Sequence, residues 1–65
     1  MYKVLDAKYN SEIGFFYEKK DAQRARLNYI KESMAIGSVS PDWESIKDEY
    51  KKQIRKAVKI YQLTA

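Results

Sequence analysis

"YKVLDAKYNSEIGFFY", Tyr2–Tyr17, is the stretch whose reading decides the fold class. Both halves are rich in Val, Leu, Ile, Phe and Tyr, residues that fit a pleated, half-buried surface. Between them Asn10 and Ser11 supply turn chemistry, because asparagine tolerates a positive φ and serine bonds its local backbone. The stretch predicts an antiparallel β-hairpin over about residues 2–17. A two-residue turn at Asn10–Ser11 sets Leu5 opposite Phe16, Val4 opposite Tyr17 and Lys3 opposite Glu18, each a sensible cross-strand pair. A longer turn through Glu12 would shift that register.

Helical patterning follows at once. "EKKDAQRARLNYIKESM", Glu18–Met34, predicts a helix over about residues 19–35, with Asp21 favouring the positive end of its dipole. Ala22, Ala25, Arg26, Tyr29, Ser33 and Ile36 share one side, and Leu27, Ile30 and Met34 lie beside them. So wide an apolar arc suits a helix touching both a hairpin and a second helix. Gly37 is a natural stop. In "GSVSPDWES", Gly37–Ser45, Ser40 suits an N-cap, Pro41 the first helical position, and Asp42 with Glu44 the first turn. The second helix is expected over about residues 41–62, because Trp43, Ile46, Tyr50, Ile54, Ala57, Val58 and Tyr61 recur at steps of three and four. Trp43, Ile46, Tyr50 and Ile54 are expected to be buried against Tyr29, Ile30 and the hairpin. The whole reads as one α+β domain over residues 1–65, a hairpin followed by two helices (ββαα).

Sixty-five residues lie near the small end of what folds unaided, and such a chain must rely on packing or on a partner. The hydrophobic share of 45%, with 14% aromatic, is too high for a disordered tail. No apolar run approaches the ~18 residues of a membrane span, and "MYKVLDAKYN" lacks the apolar centre of a signal peptide. A soluble, cytoplasmic protein with no membrane association is expected.

The chain contains neither histidine nor cysteine, so the commonest general base, the thiol nucleophile and Cys/His zinc sites are absent. Ser11, Ser33, Ser38, Ser40 and Ser45 have no base or glycine-rich setting around them. Gly14 and Gly37 are too few for a phosphate loop or dinucleotide fingerprint. No catalytic residue, cofactor or metal is expected, and an enzyme is not.

Binding is what remains, and two surfaces compete for it. "EYKKQIRKAVKIYQ", Glu49–Gln62, concentrates Lys51, Lys52, Arg55, Lys56 and Lys59 with no acid after Glu49. On a continuous helix, Lys52, Arg55 and Lys59 point away from the apolar side and Lys51 and Lys56 flank them. Cations late in a helix complement its dipole, and Glu44 with Lys47, and Asp48 with Lys51 or Lys52, make ordinary pairs. Lysine outnumbers arginine here, which suits phosphate contact, an acidic protein surface or plain solvation better than base reading. Solvation is the favoured reading of this stripe.

The hairpin is apolar on both sides. Under the expected register, Leu5, Ala7, Tyr9 and Phe16 fall on one side, and Tyr2, Val4, Ile13, Phe15 and Tyr17 on the other. Two helices can cover only one side of so small a sheet, unless a helix end or the C-terminal "YQLTA" wraps the second. Val4, Phe15 and Tyr17 are the candidate protein interface, with Asp6 and Lys8 as its polar rim. An open edge strand could also pair with a partner strand. The expected partner is another protein, such as a host target, or a second copy of the chain. Nucleic acid bound by the basic stripe is the alternative.

The order hairpin, helix, helix in a short, Lys- and Tyr-rich chain resembles small accessory proteins of phages and mobile elements, a likeness of style that implies occlusion or adjustment of a host protein. Ribbon–helix–helix DNA-binding dimers also place a strand before two helices. They read bases with polar side chains, where "IGFFY" offers aromatics, so the sequence departs from that pattern.

Overall fold

In the computed structural model of the protein, which describes residues 1–63, the hairpin forms. Strand β1 (Tyr2–Asp6) runs antiparallel to β2 (Ser11–Phe16). Its turn occupies residues 7–10, with Asn10 in the left-handed region at φ 51°. Asp6 organises the turn, since its Oδ1 accepts the Lys8 backbone N–H at 3.0 Å. The turn therefore starts earlier than Asn10–Ser11, and the register differs from expectation. Asp6 faces Ser11, Leu5 faces Glu12, Val4 faces Gly14, Lys3 faces Phe15 and Tyr2 faces Phe16. The Leu5–Phe16, Val4–Tyr17 and Lys3–Glu18 pairs are not made.

Ile13 is the extra residue of a β-bulge, because the register shifts between Val4 and Leu5. The bulge lets Ile13 pack against the core while Phe16, further along, reaches it too. Gly14 makes room for this: a Cβ there would lie 3.0 Å from the Phe16 ring.

Helix α1 spans Lys19–Gly37 with Asp21 in its first turn, and α2 spans Trp43–Ala57. The second helix is shorter than expected. Val58–Gln62 leaves it to become β3, which pairs antiparallel with the other edge of β1, from Tyr2 opposite Gln62 to Asp6 opposite Val58. Two backbone bonds extend this ladder, Ala7 N–H to the Ala57 carbonyl and Leu63 N–H to the Met1 carbonyl, both 2.8 Å. The physical reason is twofold. The β-branched Val58 and Ile60 alternate with Lys59 and Tyr61, which suits a strand, and pairing satisfies a row of β1 backbone groups that a continuing helix would leave bare. The architecture is a three-stranded antiparallel sheet of order β2-β1-β3 with two helices, strand–strand–helix–helix–strand, in the α+β class.

Helix α1 lies across one face of the sheet. Val4, Ala22, Ile30 and Val58 form the buried centre, with Tyr2, Ile13, Phe16, Tyr29, Met34, Ile54 and Ile60 packed around them. Fully burying a side chain such as Ile30 stabilises by about 1.5–3 kcal/mol.

Helix α2 contributes no buried residue, which corrects the expectation for Trp43, Ile46, Tyr50 and Ile54. Ile54 packs against the core, whereas Ile46 is 39% exposed. The cause is length. A five-residue strand reaches roughly 17 Å, while the 19 residues of α1 reach roughly 28 Å. The helices overhang the sheet, and the molecule measures 46 × 18 × 15 Å.

In that overhang α1 and α2 pack on each other. Trp43 and Tyr50 meet edge to face with centroids 5.5 Å apart, and the Tyr50 hydroxyl donates to the Ser33 carbonyl at 3.2 Å. Gly37 belongs to the last turn of α1 and has no positive φ. Its role is close approach, since a Cβ would lie 2.9 Å from both the Trp43 and Tyr50 rings. The N-cap of α2 is Asp42 rather than Ser40, and no side chain caps it. Among the described residues no helix is long and apolar enough to cross a membrane.

Candidate interaction surface

The register decides which side chains share each face of the sheet. Tyr2, Val4 and Asp6 point toward α1 with Phe16, Val58 and Ile60. Lys3 and Leu5 point the other way, where no helix lies. Lys3 has Phe15 on one side and Tyr61 on the other, and Leu5 has Glu12 and Lys59. The open face thus carries one row Phe15–Lys3–Tyr61 and a second row Glu12–Leu5–Lys59. Phe15 is 51% and Tyr61 41% exposed. Lys3 Nζ pairs with Glu12 Oε1 at 3.5 Å, which neutralises the centre of the face. Tyr17, 83% exposed just past β2, extends the aromatic surface.

Two of the three residues expected at an interface, Phe15 and Tyr17, are exposed. Val4 is not: it is fully buried under α1. Asp6, expected on the polar rim, is also buried, whereas Lys8 is exposed. The earlier turn and the Ile13 bulge caused the exchange, because they set Val4 and Asp6 opposite Gly14 and Ser11. Each Asp6 oxygen has a partner, Oδ1 from Lys8 N–H and Oδ2 from the Tyr29 hydroxyl at 2.5 Å. That hydrogen bond, with help from desolvation, pushes the Tyr29 phenol up to about 12. The arrangement is structural, since each carboxylate oxygen is held by a group of the fold.

The cationic stripe is divided. Lys51, Lys52, Arg55 and Lys56 are exposed on α2, where with Asp48 they border a shallow hollow of about 470 Å³. Lys59 leaves the helical stripe, because it belongs to β3 and lies on the open sheet face beside Leu5, and it meets Arg55 and Lys56 only across a hollow at the sheet edge. Glu44 pairs with Lys47 at 2.9 Å as expected, which raises the Lys47 pKa. Asp48 makes no ion pair with Lys51 or Lys52 among the described residues.

Sequence reasoning missed Tyr61 and Leu5 as surface partners of Phe15, and it missed the structural use of Arg26. A signal for β3 was present in "VKIYQ", whose β-branched residues alternate with Lys59 and Tyr61 at a period of two. Arg26 Nε donates to the Val58 carbonyl at 2.8 Å and Nη2 to the Arg55 carbonyl at 2.9 Å. It thereby serves one of the orphan carbonyls at the end of α2 and the first residue of β3. No local pattern announces a bond between residues 32 apart.

Comparison with protein-family models, curated proteins and solved structures finds no match for this chain.

Proposed function

We propose that this chain is a non-enzymatic protein-interaction module that docks on a partner protein through the open face of its sheet. The observation that carries the reading is the Phe15–Lys3–Tyr61 row. Two half-exposed aromatic rings stand on a rigid three-stranded platform, around a lysine already matched by Glu12. Exposed aromatic surface of this kind marks interaction sites, and tyrosine is enriched among their strongest contributors. With Lys3 matched by Glu12, Lys59 is the one unmatched charge in the two rows among the described residues, which fits a protein surface better than a polyanion. The absence of histidine and cysteine from the sequence supports a binding role over a catalytic one. A module of this size acts by occlusion, modulating or inhibiting a host protein in the cytoplasm in the manner of phage accessory proteins, or by pairing with a second copy.

The exposed cations of α2 favour a second reading, weak contact with nucleic-acid phosphates. Such binding would ignore sequence and fall steeply with salt, because each neutralised phosphate releases counterions.

The test is retention from nuclease-treated host lysate by the parent chain and by a Phe15→Ser, Tyr61→Ser double variant. A stoichiometric protein held by the parent and lost by the variant supports the first reading, as does a parent dimer in sedimentation that the variant dissolves. Recovery of nucleic acid alone from untreated lysate, equal for both chains, would replace it with the second.

A further inference from the structure

The two edges of the sheet differ. In an antiparallel ladder the backbone groups of successive residues point alternately toward and away from the neighbouring strand. The bonds Ala7 to Ala57 and Leu63 to Met1 fix that alternation for β1 and β3. Lys59, Tyr61 and Leu63 turn their backbone groups to β1, and Val58, Ile60 and Gln62 turn theirs to the free edge. Val58 is already served there, with its N–H donating to the Ile54 carbonyl and its carbonyl accepting from Arg26. Among the described residues Ile60 and Gln62 have no backbone partner at that edge.

Beside this edge runs a groove of about 650 Å³. Its cationic lining is Arg26, Arg55, Lys56 and Lys59, and its apolar lining includes Leu27 and Ile60. No acidic side chain lines it among the described residues. Among the described residues none of its four cations lies in an ion pair, since the pairs found involve Lys3, Lys20 and Lys47. Arg26 spends its bonds on neutral carbonyls, so its charge is uncompensated.

We propose that the free edge of β3 takes an extended acidic segment of a partner protein as a fourth strand. The backbone of Ile60 and Gln62 supplies the pairing, and the unpaired cations supply the charge complementarity. Side chains of an added strand alternate between faces. Those on the helix side meet Leu27 and Ile60, with Arg26, Arg55 and Lys56 of the two helices bordering them, and those on the open side meet Lys59 and Tyr61. An alternating strand therefore offers an apolar row to Leu27 and Ile60 and an acidic row to Lys59, and carries its net negative charge along the helix cations. A second copy of this chain is disfavoured at this edge, because four cations would face four cations. The site goes beyond the sheet-face reading; it shares Tyr61 with that face but not Phe15, so Phe15 variants tell the two apart.

The experiment is a titration of the full chain with a capped octapeptide of alternating Asp and Val, followed by calorimetry and by amide exchange. Controls are a block peptide of four Asp then four Val, the Asn–Val analogue, and an oligothymidylate of eight nucleotides. The alternating peptide is expected to bind at least tenfold more tightly than the block or Asn peptides and to slow exchange at Ile60 and Gln62. An Arg55→Gln, Lys59→Gln variant should lose that preference. Gln62→Pro should abolish binding while keeping the melting temperature, because it removes only an outward N–H at a strand edge. Phe15→Ser, which damages the sheet-face site, should leave peptide binding intact. Equal binding of block and alternating peptides, protection at β2 instead of β3, or tighter binding of the oligothymidylate would overturn the proposal.

Discussion

The Tyr29 hydroxyl donates to Asp6 Oδ2 at 2.5 Å, tying the middle of α1 to the last residue of β1 across 23 positions of sequence. Asp6 is only 4% exposed, so this bond and that from Lys8 N–H replace its water. Removing one partner of a buried polar pair costs more than the bond is worth, because the other is left unsatisfied. Asp6→Ala should lower stability by about 1–3 kcal/mol, read as a shifted urea midpoint with unchanged slope.

The same pair sets a pH dependence. The folded-state pKa of Tyr29 is raised from 10.0 to about 12 by its bond to Asp6. A raised pKa means that the protonated phenol is favoured by folding. Its stabilisation is complete below pH 10 and is lost as pH rises through about 12. Parallel denaturation series of the parent and Tyr29→Phe should differ by a constant amount up to pH 10, and the gap should close above it. A gap that widens with pH would contradict the assigned bond.

Arg26 joins α1 to the junction of α2 and β3 through two carbonyls. Arg26→Met keeps the aliphatic stem and removes both bonds. Since bonds from a charged donor are each worth ~1.5–3 kcal/mol at best and these are partly exposed, a loss of about 1–2 kcal/mol is expected. The amides of Val58–Gln62 should exchange faster in the variant, more so than those of β2.

Gly37→Ala tests the helix overhang. Alanine improves helix propensity by about 1 kcal/mol, but its Cβ would press on the Trp43 and Tyr50 rings at 2.9 Å. Overpacking typically costs 1–3 kcal/mol, so a net destabilisation on the order of 1 kcal/mol is expected, with altered Trp43 fluorescence. A more stable variant with unchanged emission would show that the rings are not packed there.

The centre of the core can be located by contrast. Ile30 is 5% exposed and Ile46 is 39% exposed. Ile30→Ala should cost ~2–5 kcal/mol, in the range of buried large-to-small changes. Ile46→Ala should cost well under half as much, and the comparison of melting temperatures decides it.

Local chemistry alone determined the α+β class, the hairpin, the positive φ of Asn10 and the course of α1, and it placed the start of α2 at Pro41, two residues before Trp43. Each rests on residues close in sequence, such as alternating β-branched and aromatic side chains or apolar positions at helical spacing. Three features were settled only by tertiary structure. The sixteen residues of the hairpin stretch admit more than one turn, and Asp6, held by Tyr29 from α1, belongs to the one with Ser11 opposite it. Val58–Gln62 carries helical spacing and strand alternation together. An unpaired β1 edge needed those backbone bonds, so the strand won and Lys59 left the basic stripe for the sheet. Val4 moved into the core and Tyr61 joined Phe15 outside because side-chain period in a strand is two. A shift of one residue in register exchanges buried for exposed, and only long-range pairing sets register.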